Sequence, residues 1–102
     1  MKYRFLFTKE ASKDIESVFS WYKEQQTELG YKFLSDLNFT LEKLTNDKIE
    51  FQKYMGEIRK IRLQSFPFTI YFQKKSDDLL IVIGAVLHQK ESFVKLKKRF
   101  KK

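Results

Sequence analysis

The only histidine of the chain, His88, stands two residues before Lys90, and a second cationic run, Arg59, Lys60 and Arg62, lies upstream of it. An imidazole ordinarily titrates near ~6.5, so His88 can give or take a proton close to neutrality, while guanidinium and ammonium groups can stabilise developing negative charge. A third group, Lys95, Lys97, Lys98 and Arg99, belongs to a basic tail over residues 89–102. Seven of the 21 Lys and Arg residues, but only one of the 13 carboxylates, lie between His88 and Lys102. So concentrated a charge attracts polyanions such as RNA, DNA or an acidic protein segment through its long-range field and through counterion release. The plainer reading is a solvated tail that aids solubility.

Each residue also carries a structural reading. His88 equally suits a strand-end histidine bonded to backbone. Arg59 shares a face with Ile61 and Leu63, so an ion pair beneath packed helices or an interface contact fits it as well as chemistry does. Lys60 and Arg62 project from the opposite face, where solvated charges are the common case. Tyr71 and Trp21 read as packing residues. Cysteine is absent, which excludes disulfides and thiolate metal sites and fits a reducing cytoplasm. No metal or other cofactor is expected.

The elements that must position these groups follow from periodicity. Lys2 to Phe7 alternates and is rich in aromatics, which predicts a strand. Thr8 is placed to cap a helix through about Gln26, with Ala11, Ile15, Val18, Phe19 and Tyr22 as its apolar stripe. Thr27 and Gly30 interrupt the pattern, and Leu29, Phe33, Leu37, Leu41 and Leu44 predict a second helix to about Thr45, antiparallel to the first because the connection is short. Glu50 to Met55 is ambiguous. Gly56 marks a turn, Glu57 to Leu63 reads as a strand, and Gln64 and Ser65 make a hairpin to the Phe66–Gln73 strand, with Pro67 near its start. Leu79 to Leu87 is nearly all apolar, as a central strand covered on both faces should be. Beyond it, Phe93, Leu96 and Phe100 keep helical spacing, giving the basic tail an apolar edge.

With 102 residues, 42% hydrophobic and 17% aromatic, the chain suits one domain over residues 1–102 held by packing alone. Neither a secretion signal nor a membrane span is evident, so no membrane partner and a cytoplasmic location are expected.

Several spaced motifs give the chain a family likeness: Ala11 with Asp14-Ile15, Trp21-Tyr22, Leu29-Gly30 with Phe33-Leu34, Ile58-Arg59, Phe66-Pro67-Phe68 with Ile70-Tyr71-Phe72, and Ala85-Val86-Leu87-His88. In order and spacing from about Tyr3 to Lys90, the chain resembles the RelE/ParE superfamily of bacterial toxins, which includes plasmid stabilisation proteins. The resemblance implies an α+β fold: an N-terminal strand, an antiparallel helix hairpin on an antiparallel sheet, and a short basic C-terminal helix or tail. It also implies a toxin of a type II toxin–antitoxin system, in hetero-oligomeric complex with a cognate antitoxin. Where the family often follows the histidine with Arg, this chain has Glu91, an anion near the expected functional edge.

Two activities follow from the resemblance. RelE-like members are ribosome-dependent mRNA endoribonucleases that need no metal; in that case Arg59, Arg62, His88 and Lys90 are the catalytic candidates, converging on one phosphate if their strands pair. ParE-like members inhibit DNA gyrase without a nuclease constellation, and the incomplete polar set leans this way. In the target- or nucleic-acid-binding role stand Lys60, Lys95, Lys97, Lys98 and Arg99. A non-catalytic basic nucleic-acid-binding module is the third reading.

Overall fold

The computed structural model describes residues 2–90 and 92–99; expectations placed on Glu91, the Phe93 side chain and residues 100–102 lie outside them. In chain order the elements are β1 (Arg4–Phe7), α1 (Lys9–Gln25), α2 (Thr27–Lys43), β2 (Gln52–Met55), β3 (Ile58–Arg62), β4 (Phe68–Lys75), a 3-10 turn at Ser76–Asp78, β5 (Leu80–His88) and α3 (Ser92–Arg99). The five strands form one sheet in the order β1-β5-β4-β3-β2. β2 through β5 pair antiparallel, whereas β1 lies parallel to β5, with Arg4 opposite Leu80 and Phe7 opposite Ile83. The sheet is therefore mixed, not purely antiparallel.

Local chemistry explains the boundaries. Thr8 caps α1, its hydroxyl accepting the Ala11 N–H at 3.1 Å, and Glu10 lies in the first turn, where the helix dipole favours a carboxylate. One extended residue, Gln26, separates the helices. Gly30 does not break α2: it is buried inside it at the crossing with α1, where an added Cβ would stand 3.0 Å from the Lys23 Cβ and 3.1 Å from the Phe19 ring. The glycine thus sets how closely the two axes approach. Gly56, at φ +56°, makes the β2–β3 turn, a conformation that costs an L-residue with a side chain. The ambiguous Glu50–Met55 segment resolves into the short edge strand β2.

The helix hairpin covers one face of the sheet. Phe33, Leu37 and Leu41 of α2 and Leu44 at its C-cap meet Phe68, Ile70, Phe72, Ile81, Ile83 and Val86 in one buried cluster, with Ile15, Val18, Phe19 and Tyr22 of α1 along its margin. Tyr22 and Phe33 pack with Phe66 and Phe68 as an aromatic knot, ring centroids 4.9 to 6.2 Å apart. A second, smaller cluster lies on the opposite face, where Leu96 of α3 sits on Ile58, Tyr71, Ala85 and Leu87. Gly84 separates the two registers of β5: Phe72 opposes Ile83 and Tyr71 opposes Ala85, so the extra residue forms a bulge. Tyr71 packs as expected, whereas Trp21 is 58% exposed and touches Tyr22 edge-on.

Candidate functional site

The register assigns each candidate cation to a face. Arg59 opposes Phe72, so it points to the hairpin side; Lys60 opposes Tyr71 and Arg62 opposes Thr69, so both point to the α3 side. His88 opposes Phe68 and lies edge-on to its ring at 5.3 Å, on the hairpin side. β3 and β5 do not pair, because β4 runs between them. Phe68 and Phe72 are four positions apart on β4, which puts His88 and Arg59 about 13 Å apart along the strands, in addition to the two strand spacings across them. Arg59 and His88 therefore share a face without meeting, and Arg62 lies behind the sheet from both.

Each of these groups has local partners. The Arg59 guanidinium donates to the Phe51 carbonyl at 3.1 Å and lines an open cleft of about 820 Å³ with Lys74 and five carboxylates, Asp47, Glu50, Glu57, Asp77 and Asp78. His88 Nδ1 accepts the Lys90 N–H at 3.1 Å, which leaves the ring proton on Nε2 in the neutral form. Lys90 itself is exposed in the turn after β5. On α3, Lys95, Lys97 and Lys98 are exposed. Arg99 is engaged internally: its two terminal nitrogens reach both Asp14 oxygens at 2.6 and 3.2 Å, and one also donates to the Gly84 carbonyl at 3.2 Å.

Two carboxylates, one of them in the Asp14-Ile15 motif, have structural roles that periodicity does not assign. Asp14 receives Arg99 and also accepts the Val86 N–H at 3.0 Å, so it ties α1, the β5 bulge and α3 together. Asp36 is buried on α2 and accepts three successive backbone N–H groups, those of Gln64, Ser65 and Phe66, at 2.7 to 3.1 Å. It holds the β3–β4 turn by charge-assisted bonds that replace the water it loses. A third tie is exposed: the Tyr3 hydroxyl donates to Asp47 at 2.6 Å, and Lys74 pairs with the same carboxylate at 3.0 Å. These two contacts, the Tyr3 bond foremost, hold the Asp47 carboxyl below its ordinary range. Burial pushes the Tyr22 phenol up.

Among the described residues no group of three or more His, Cys, Asp or Glu could hold a metal ion, and no helix is long and apolar enough to cross a membrane. The hairpin surface and the β1 edge expose apolar bulk instead. β1 ends the sheet with one side unpaired, and Leu6, Phe7 and Phe39 are 54%, 36% and 52% exposed. Phe7 and Phe39 flank an open trough of about 530 Å³ between β1 and α2.

A helix hairpin and a short basic helix on opposite faces of a five-stranded sheet define the RelE/ParE architecture. A chain of the chromosomal ParDE toxin–antitoxin system of P. aeruginosa superposes with a TM-score of 0.69 at 18% identity, covering 84% of this chain and 95% of that one. The isolated E. coli RelE toxin gives 0.57 at 20% identity over 94% of each chain. A double arginine-to-alanine variant of E. coli RelE in the free state gives 0.56 at 15% identity, covering 99% of this chain and 97% of that one. At these identities the likeness is one of fold. No curated protein sequence matches significantly. Residues 5–93 match the ParE toxin of the type II toxin–antitoxin system parDE, and the chain belongs to that family.

Proposed function

We propose that this ParE-family toxin acts by binding and inhibiting DNA gyrase, and that a cognate antitoxin neutralises it. The observation that carries the reading is the dispersal of the ionisable groups. An endoribonuclease without a metal needs a base, an acid and phosphate-stabilising cations within hydrogen-bond reach of one scissile group. Here Arg59 and His88 are separated along the sheet, and Arg62 faces away from both. Inhibition of a protein target needs only a stable, complementary surface, and the family match over residues 5–93 supports that choice.

The antitoxin is expected on the hairpin side. An unpaired strand edge beside an apolar trough suits an extended partner segment, which gains main-chain bonds from β1 and buries Phe7 and Phe39. The deciding experiment is a gyrase supercoiling assay with purified toxin, with and without the antitoxin encoded beside it. Supercoiling is expected to fall with toxin and to recover on adding antitoxin; undiminished supercoiling at large molar excess of toxin removes gyrase as the target. The RelE-like alternative, mRNA cleavage on the ribosome by Arg59, Arg62, His88 and Lys90, predicts new mRNA 5′ ends and loss of that cleavage in His88→Ala.

A further inference from the structure

The charges of this molecule are sorted by sheet face. None of the residues in the five strands is Asp or Glu, and neither is any residue of α3. Seven of the 13 carboxylates lie on α1 and α2. The five in the connections between them and β5 all line the cleft that holds Arg59 and Lys74 on the hairpin side; the remaining one is Glu91. Strand cations on the hairpin side therefore face carboxylates. Lys60 and Arg62, on the α3 side, form no ion pair among the described residues; Lys60 lies 5.7 Å from the centre of the Tyr54 ring.

Those two side chains are alternate residues of β3, about 7 Å apart along the strand. They flank the ground on which α3 sits, since Lys60 opposes Tyr71 and Tyr71 packs under Leu96. α3 contributes exposed Lys95, Lys97 and Lys98 to the same side. The result is a cationic surface built from two elements far apart in sequence; Asp14, which reaches α3 from α1, is taken up by Arg99.

We propose that this α3-side surface, with Lys60 and Arg62 at its centre, binds the phosphate backbone of duplex DNA. Charge complementarity argues for a polyanion, and the aromatic residues argue for a duplex. Single-strand binding relies on exposed rings on which bases stack. On this face Tyr71 is 4% exposed, and the Tyr54 ring is held edge-on to it at 5.2 Å. Among the described residues of this face no ring is openly exposed beside the cations, an arrangement that suits the regular phosphate rows of a duplex, whose base stack is already satisfied. The inference goes beyond inhibition of gyrase and is measured without it; for a toxin whose target handles DNA, the same surface would add a second point of attachment.

The test is fluorescence anisotropy with purified toxin and a labelled duplex of about 20 base pairs, titrated over a range of salt. A single-stranded RNA of equal length and a poly-glutamate peptide serve as competing probes. The duplex is expected to bind most tightly, with log K falling linearly as log salt rises. Lys60→Gln with Arg62→Gln is expected to weaken binding at least ~5-fold near physiological salt and to lower the salt slope by about 2. Lys9→Gln with Lys13→Gln, an equal charge change on the exposed surface of α1, is expected to alter affinity by less than ~2-fold. Circular dichroism confirms that both variants are folded. Tighter binding of the RNA or the peptide overturns the proposal, as does an equal loss in the α1 control or no duplex binding at low salt. Absence of duplex binding by the unsubstituted toxin, with its gyrase inhibition intact, would refute this surface alone; duplex binding without gyrase inhibition would refute the gyrase reading alone.

Discussion

The two faces of the sheet are finished to different degrees. On the hairpin side, two helices of 17 residues each close over a continuous buried cluster, and Asp36 fastens the β3–β4 turn beneath them. On the other side one helix of eight residues is placed, among its described side chains, by buried Leu96 and by the Arg99–Asp14 pair. Burial of apolar area scales the stabilisation, so the hairpin face carries the fold while the α3 face is left open and cationic. The same sheet thus divides the work: one side makes the structure and the other presents a surface.

Substitutions can break this contrast, and the largest effect is expected in the aromatic knot. Phe33 is fully buried against three other rings, so Phe33→Ala is expected to cost about 3–5 kcal/mol in denaturant unfolding and to leave little folded protein. Asp36→Ala strands three backbone donors in the β3–β4 turn and is expected to cost about 2–3 kcal/mol, with Asp36→Asn intermediate because one acceptor remains. Arg99→Ala is expected to cost about 1–2 kcal/mol, the pair being partly exposed, at 19% for Arg99 and 11% for Asp14. Hydrogen exchange would sharpen that result: α3 amides should lose protection while those of α2 stay unchanged.

The smallest effect concerns pH. Asp47 is depressed by Tyr3 and Lys74, so its tie is present above the ordinary aspartate range near ~3.9 and is lost as pH falls through the lower folded value. Asp47→Asn should therefore lower stability slightly at neutral pH and flatten the acid limb, the two proteins converging as pH falls below the folded value, as followed by thermal melts between neutral and acid pH. A large change at neutral pH would mean that this exposed tie carries more of the fold than its solvation allows.

Much of the scaffold was legible in the residues because local rules produced it. Thr8 before an apolar stripe marked α1, the Leu and Phe repeat marked α2, alternation with aromatics marked β1 and β4, and the Gly56 turn before an alternating run marked β3. β2 was not legible: Gln52-Lys53-Tyr54-Met55 puts two polar residues before two larger apolar ones without alternation, and its strand state depends on pairing across the Gly56 turn. Gly30 read as an interruption because its role is to admit a neighbouring helix, which a sequence read one helix at a time does not reveal. Asp14 and Arg99 are 85 positions apart, and no periodicity links them. The resemblance supplied the family, yet the separation of Arg59 from His88 follows from β4 lying between their strands, a fact of sheet order that motif spacing does not encode.

The proposal that toxicity comes from arrest of gyrase and not from RNA cleavage can be put to the living cell. Its most direct test is induction of the chain in growing cells, with a reporter plasmid's supercoiling and the 5′ ends of an abundant mRNA read from the same culture. Relaxed plasmid with an unchanged pattern of 5′ ends is the predicted result. New 5′ ends on translated message while the plasmid keeps its supercoils would contradict it.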